Sequence, residues 1–284
     1  MPHFVLQFFR HYLLSLQFFT RIPVTGRLAD WVGYSPAMLR ASAGHFPGVG
    51  VLVGALVAGF SFALLMGLPP TGSAPLVAAV LSTVLGVLIT GAFHEDGLAD
   101  VADGLGGSAD RDRALVIMKD SRVGAFGAIA VVLALLSKVA LLTLLGDVSA
   151  PLMVTALFAA HVVSRTWPLL TIRLLPHVGD VAGSKSKPLA DQISGAALGT
   201  GFLWSLGAMA LVVYAQNTTE FIAIDLAMDS LLWALLNAVA LSAVAWALMA
   251  RWFWRRLGGF TGDCLGATQQ VCEMAFYLGV ALSL

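Results

Sequence analysis

The chain has 284 residues, of which 58% are hydrophobic and only 11% charged, and its mean hydropathy is +0.87. So few charges cannot cover the surface of a water-soluble fold. Sixteen basic and sixteen acidic residues cancel, which excludes a strongly basic nucleic-acid binder, so no nucleic acid is expected among its partners.

In chain order, the first segment is amphipathic: Phe4, Val5, Phe8, Phe9, Tyr12, Leu13, Leu16 and Phe19 recur at helical spacing, with Arg10, His11 and Gln17 elsewhere. It reads as a helix lying in the membrane interface, within an interfacial N-terminal segment 1–44. Residues 3–20 lack a compact apolar core followed by a small-residue cleavage site, so no cleavable signal peptide is expected. Residues 21–45 read as a polar linker. Apolar runs at about 46–67, 75–93, 125–145, 151–171, 197–215, 229–250 and 265–284 then predict about seven transmembrane helices, each near the ~20 residues that a bilayer core requires. Backbone groups there have no water to bond, so each run must be helical. The expected fold is an all-α, polytopic integral membrane protein forming one domain, 1–284. Cys264 and Cys272, eight apart, suggest neither a disulfide nor a zinc site and read as small core residues.

Alternating sides from the N-terminus puts fourteen of the sixteen basic residues on one face, Lys185 and Lys187 among them. The other two, Lys138 and Arg165, fall inside expected spans. The opposite face has only Asp147, Glu220, Asp225 and Asp229. The positive-inside rule makes the basic face cytoplasmic. The polar motifs all fall on that face, whereas a pore needs polar residues through the bilayer, so chemistry at the membrane surface is favoured.

The densest motif is His94-Glu95-Asp96-Gly97-Leu98-Ala99-Asp100-Val101-Ala102-Asp103-Gly104, within a cytoplasmic segment 94–122. Asp96, Asp100 and Asp103 are spaced i, i+4, i+7, an arc of about 60° on one helix face. Three such carboxylates repel one another unless a cation sits among them, and hard oxygen ligands suit Mg²⁺ or Mn²⁺ bridging to a phosphate. A solvated acidic helix end is the bland alternative. Lys119-Asp120-Ser121-Arg122 supplies two cations for phosphate oxygens, although a positive-inside anchor explains them equally well. Arg255-Arg256-Leu257-Gly258-Gly259-Phe260-Thr261-Gly262-Asp263 combines close backbone approach with a carboxylate that suits a metal shell or a base, and a helix-connecting turn also fits. Within the bilayer, Lys138 costs roughly 2.5–3.5 kcal/mol unless paired or wet, while Arg165, nearer the cytoplasmic end of its span, is placed to snorkel.

Taken together these residues resemble the cobalamin synthase family, the adenosylcobinamide-GDP ribazoletransferases of bacterial inner membranes. The matching strings are Phe18-Phe19-Thr20-Arg21-Ile22-Pro23, Phe46-Pro47, His94…Asp96-Gly97-Leu98-Ala99-Asp100…Asp103-Gly104, Ile117-Met118-Lys119-Asp120-Ser121-Arg122, Ser164-Arg165 and Leu257-Gly258-Gly259…Thr261-Gly262-Asp263. The resemblance implies a Mg²⁺-dependent phosphotransferase that joins adenosylcobinamide-GDP to α-ribazole or its 5′-phosphate and releases GMP. It implies Asp96, Asp100 and Asp103 on the metal, with Lys119, Arg122 and Asp263 as catalytic candidates. Arg21, His94, Asp120, Ser121, Arg165 and Arg256 are the substrate-binding candidates. Gln269 and Gln270 depart from the family's more acidic pattern, and only Glu273 matches. The expected surroundings are the lipid bilayer of a bacterial inner membrane with the active face cytoplasmic, and a homo-oligomer is left open.

Two rivals are weighed against this. A CDP-alcohol phosphotransferase-like lipid synthase also uses an Asp-rich helix with Mg²⁺, but its Asp-Gly-x-x-Ala-Arg signature has Asp100 at the last position here. A transporter needs polar residues at mid-membrane and broken helix pairs, and Lys138 is the only deep charge.

Overall fold

The computed structural model describes residues 3–179, 192–218 and 228–284; Lys185, Lys187, Glu220 and Asp225 of the charge count lie outside these. Among the described residues regular structure is helical, apart from one parallel bridge between His177 and Phe260.

Helix α1, His3–Phe19, buries Leu14, Leu16 and Phe19 and exposes Phe4 and Phe9, as its amphipathic pattern requires. The segment expected to be a linker instead holds α2, Gly26–Val32, and α3, Pro36–Ser42. The overlooked signal is a cap: the Ser35 hydroxyl accepts the Met38 N–H at 3.1 Å and Pro36 takes the first turn, the residues a helix start favours. A 3₁₀ turn, Ala43–His45, leads from α3 into α4, Phe46–Gly67.

Then follow α5, Ala74–Thr90, α6, Phe93–Gly107, α7, Arg111–Ile117, and α8, Ala125–Val148. The second half holds α9, Ala150–Val163, α10, Trp167–Leu174, α11, Gly195–Thr218, α12, Met228–Leu257, and α13, Gly262–Ala281.

Among the described residues five stretches are long and apolar enough to cross a membrane: Pro36–Gly67, Ala125–Val148, Ala150–Leu174, Gly195–Gln216 and Ser230–Leu257; the bent pair α5–α6 makes six if counted as one span. The chain is thus an all-α polytopic membrane protein, with five or six such spans where about seven were expected. The remaining expected spans fall on α5, only 17 residues long, and on α13, interrupted by Gln269, Gln270 and Glu273.

Between α5 and α6, Gly91 (φ +67°) and Ala92 (φ +59°) are consecutive left-handed residues, and the two helix axes meet at 89°. A left-handed alanine is strained, so the elbow is held by its surroundings. The Arg21 N–H donates to the Ile89 carbonyl at 2.7 Å, and the Arg21 side chain crosses Gly91 where a Cβ would collide with it.

Helix α13 is the hub, packing on α12, α6, α8, α9 and α10. In lipid, close backbone approach replaces the hydrophobic effect as the packing force. Glycines supply it here: a Cβ on Gly279 would sit 2.5 Å from the Ala238 Cα, and one on Gly97 would sit 2.7 Å from the Asp263 carbonyl oxygen.

Candidate active site

The Gly97 contact brings the start of α13 against the first turns of α6, and with it Asp263 beside the Asp-rich face. Asp96 is exposed and Asp100 half-buried. The Asp100 carboxyl is pushed up to about 7 by burial, then by the charges of Asp263, Asp96 and Asp103. Burial likewise raises Asp263, while the Thr261 hydroxyl, donating to its Oδ2 at 3.3 Å, opposes the shift.

Asp103 has a different task. It is buried at 8% exposure, and its two oxygens accept the N–H groups of Gly124 at 2.7 Å and Gly127 at 2.8 Å. It therefore caps the N-terminus of α8 from another helix, satisfying donors that a helix start leaves open. Replacing Asp103 by alanine is expected to destabilise the fold by about 2 kcal/mol, read as a lower thermal midpoint in detergent; an unchanged midpoint would count against the cap.

The same contacts anchor the loop between α7 and α8. Lys119, Ser121 and Arg122 are exposed there. The Arg122 guanidinium grips the Asp120 carboxylate at 2.6 Å, and these hydrogen bonds hold Asp120 down at about 2. Asp120 thus occupies the face of Arg122 that a phosphate would take.

Three other candidates are engaged elsewhere. Arg256 donates to the Leu105 carbonyl at 3.1 Å and to that of Ser108, capping the end of α6 rather than facing outward. His94 is 1% exposed and stacks on Phe46 at 5.7 Å, inside the bundle. Arg165 does not snorkel: it is 1% exposed, its Nη1 donates to the His161 carbonyl at 2.8 Å, and its guanidinium lies 5.6 Å from the Phe46 ring centre. The guanidinium is thus held inside the bundle and not at its surface.

Lys138 finds the partner its depth demands. Its Nζ lies 2.6 Å from Glu273 Oε1. Tyr277 donates to the same oxygen at 2.9 Å, and Gln269 donates to the other at 2.7 Å. Gln270 then joins Gln269 to Glu95, donating to each at 3.0 and 3.1 Å. This network was not read from the sequence, although Gln269, Glu273 and Tyr277 recur at i, i+4, i+8 on α13, a polar stripe on one face. It ties the hub helix to the Asp-rich helix.

Among the described residues no three His, Cys, Asp or Glu side chains stand grouped to hold a metal. The donor chemistry nonetheless fits a hard divalent cation. The charges of Asp263 and Asp96 raise the proton affinity of Asp100, and that of Asp96 raises Asp263, effects that a bound cation reverses. Asp103, with both oxygens bonded to α8, fits less well.

The model of the family described as cobalamin-5-phosphate synthase matches residues 11–281. A protein of Albidiferax ferrireducens named adenosylcobinamide-GDP ribazoletransferase is 80% identical over 98% of this chain and 99% of its own. One of the same name from Polaromonas naphthalenivorans is 60% identical over 99% of this chain and 100% of its own, and one from Vibrio cholerae is 40% identical over 94% and 91%. No solved structure matches. The chain belongs to the cobalamin-5-phosphate synthase family.

Proposed function

We propose that this member of the cobalamin-5-phosphate synthase family transfers the cobinamide phosphate moiety of adenosylcobinamide-GDP to α-ribazole or α-ribazole 5′-phosphate. The products are GMP and adenosylcobalamin or its 5′-phosphate. The relatives' name supplies the substrates. The observation that carries the chemistry is the approach of Asp263 on α13 to Asp96 and Asp100 on α6, made through Gly97.

Transfer between phosphate esters needs positioning and charge neutralisation more than covalent catalysis. Asp96 and Asp100 would hold Mg²⁺, which when bound supplies charge neutralisation at the diphosphate. Lys119, Arg122 and Arg21 bind phosphate oxygens, Arg122 exchanging the Asp120 carboxylate for a phosphate of matching bidentate geometry. Asp263, with its raised proton affinity, takes the proton of the attacking ribazole hydroxyl. The hydroxyl oxygen bonds to the cobinamide-side phosphorus as the bond to GMP breaks. The segregation of the basic residues supports a site on the cytoplasmic face of a bacterial inner membrane.

Labelling the cobinamide-side phosphorus tests the reaction. The label is expected in the new corrinoid and absent from GMP; label left on free cobinamide phosphate, with ribazole joined to GMP, would overturn it.

The carboxylates also link cation to pH. A carboxyl raised in the fold contributes stability at low pH that is lost as pH climbs through its folded value, here about 7 for Asp100. Mg²⁺ or Mn²⁺ is therefore expected to raise the thermal midpoint more at pH 8 than at pH 6. An equal rise at both pH values would remove Asp100 from the cation site.

A further inference from the structure

A polar cavity of about 340 Å³ lies between α3, the end of α10 and the start of α11. Arg40, Arg173, Gln192 and Ser194 form its polar wall, and among the described residues no acidic side chain lines it. Arg40 is half-buried in the last turn of α3. Arg173 donates to the Ile193 carbonyl at 3.3 Å, and the Ser194 hydroxyl accepts the Ala197 N–H at 3.1 Å. Together these contacts set the N-terminal end of a 24-residue helix against the cavity. Neither arginine is in a salt bridge among the described residues.

Two guanidinium groups and the positive end of a long helix, with no carboxylate among the described residues to balance them, select an anion that both arginines can grip. The volume exceeds that of a bare phosphate and leaves room for the group that carries it. The segment that follows Arg173 also pairs with the segment that leads to Asp263. Beyond Arg173, the Pro176 carbonyl accepts the Phe260 N–H at 3.0 Å and the Phe260 carbonyl accepts the Val178 N–H at 2.9 Å. Phe260 stands three residues before Asp263.

We propose that this cavity binds a phosphate group that takes no part in the transfer. Resting on the reaction proposed above, that group is the 5′-phosphate of the incoming ribazole. The family's description, cobalamin-5-phosphate synthase, names a product that still carries it. Held there, the phosphate would orient the nucleoside so that its hydroxyl, and not the phosphate itself, meets the diphosphate at Asp96, Asp100 and Asp263. A phospholipid headgroup on the same face offers the same chemistry, and the test separates the two.

The full-length protein, with Arg40→Gln and Arg173→Gln made singly and together, is reconstituted in nanodiscs with and without phosphatidylglycerol. The kcat/KM ratio for α-ribazole 5′-phosphate over α-ribazole is measured. In the double variant this preference is expected to fall at least tenfold in both lipid compositions. Unchanged preference with loss of a phosphatidylglycerol dependence shown by the wild type assigns the phosphate to lipid, and overturns the ribazole assignment. A fall of both substrates by the same factor, or no change at all, overturns the site. Should the wild type turn over neither substrate, the proposed reaction fails; calorimetry with α-ribazole 5′-phosphate then decides the cavity. Binding by the wild type that the double variant lacks upholds it, and equal binding or none overturns it.

Discussion

Glu273→Ala is expected to destabilise the protein by about 3–5 kcal/mol, the cost of breaking a buried ion pair from one side. The loss is large because Lys138 stays behind. Lys138 and Glu273 are both almost fully buried, 2.6 Å apart, and Tyr277 and Gln269 complete the carboxylate's bonding. Removing Glu273 leaves an ammonium in a low-dielectric interior without the carboxylate that balanced its charge. Replacing both partners by methionine removes the two charges together and is expected to recover most of the loss. Thermal unfolding in one detergent, compared across the wild type, the single and the double variant, reads this directly. A single variant that unfolds with the wild type would show that the pair does not hold α8 to α13.

Asp263→Asn and Asp100→Asn are each expected to lower kcat by about 10²–10³-fold, the scale for loss of one group that stabilises a charged transition state, with unfolding close to the wild type. Asp103→Ala should do the reverse, weakening the fold first, because its carboxylate faces α8. The contrast distinguishes carboxylates that meet substrate from one that caps a helix. Full activity in Asp263→Asn would detach α13 from the chemistry and return the site to α6 alone.

Much of this was legible in the sequence, because the bilayer imposes a strong pattern. The apolar runs that became α4, α8, α9 and α12 were visible as such, and the amphipathic spacing of α1 gave its exposed Phe4 and buried Leu16. The position of Asp96 and Asp100 on one helix followed from their i, i+4 spacing. The elbow was not legible: a run at 75–93 carries no mark of the left-handed pair Gly91-Ala92, which is fixed by tertiary contacts such as Arg21. Periodicity also put Asp103 on the face of Asp96 and Asp100, and could not show that the start of α8 would claim its oxygens. The same limit applies to Arg256 and Arg165. A cation's sign is visible in sequence, but whether it faces a phosphate or a carbonyl depends on which helix lies beside it. Lys138 signalled a partner by its cost alone, and only the packing of α13 on α8 identified Glu273.

The central claim is tested most directly by incubating purified wild-type protein with adenosylcobinamide-GDP and α-ribazole 5′-phosphate, first after chelation of divalent cations and then with Mg²⁺ restored. GMP and a new corrinoid are expected in equal amounts with Mg²⁺, and neither after chelation. Equal turnover with and without the cation would contradict the role given to Asp96 and Asp100, and no GMP under either condition would contradict the reaction itself.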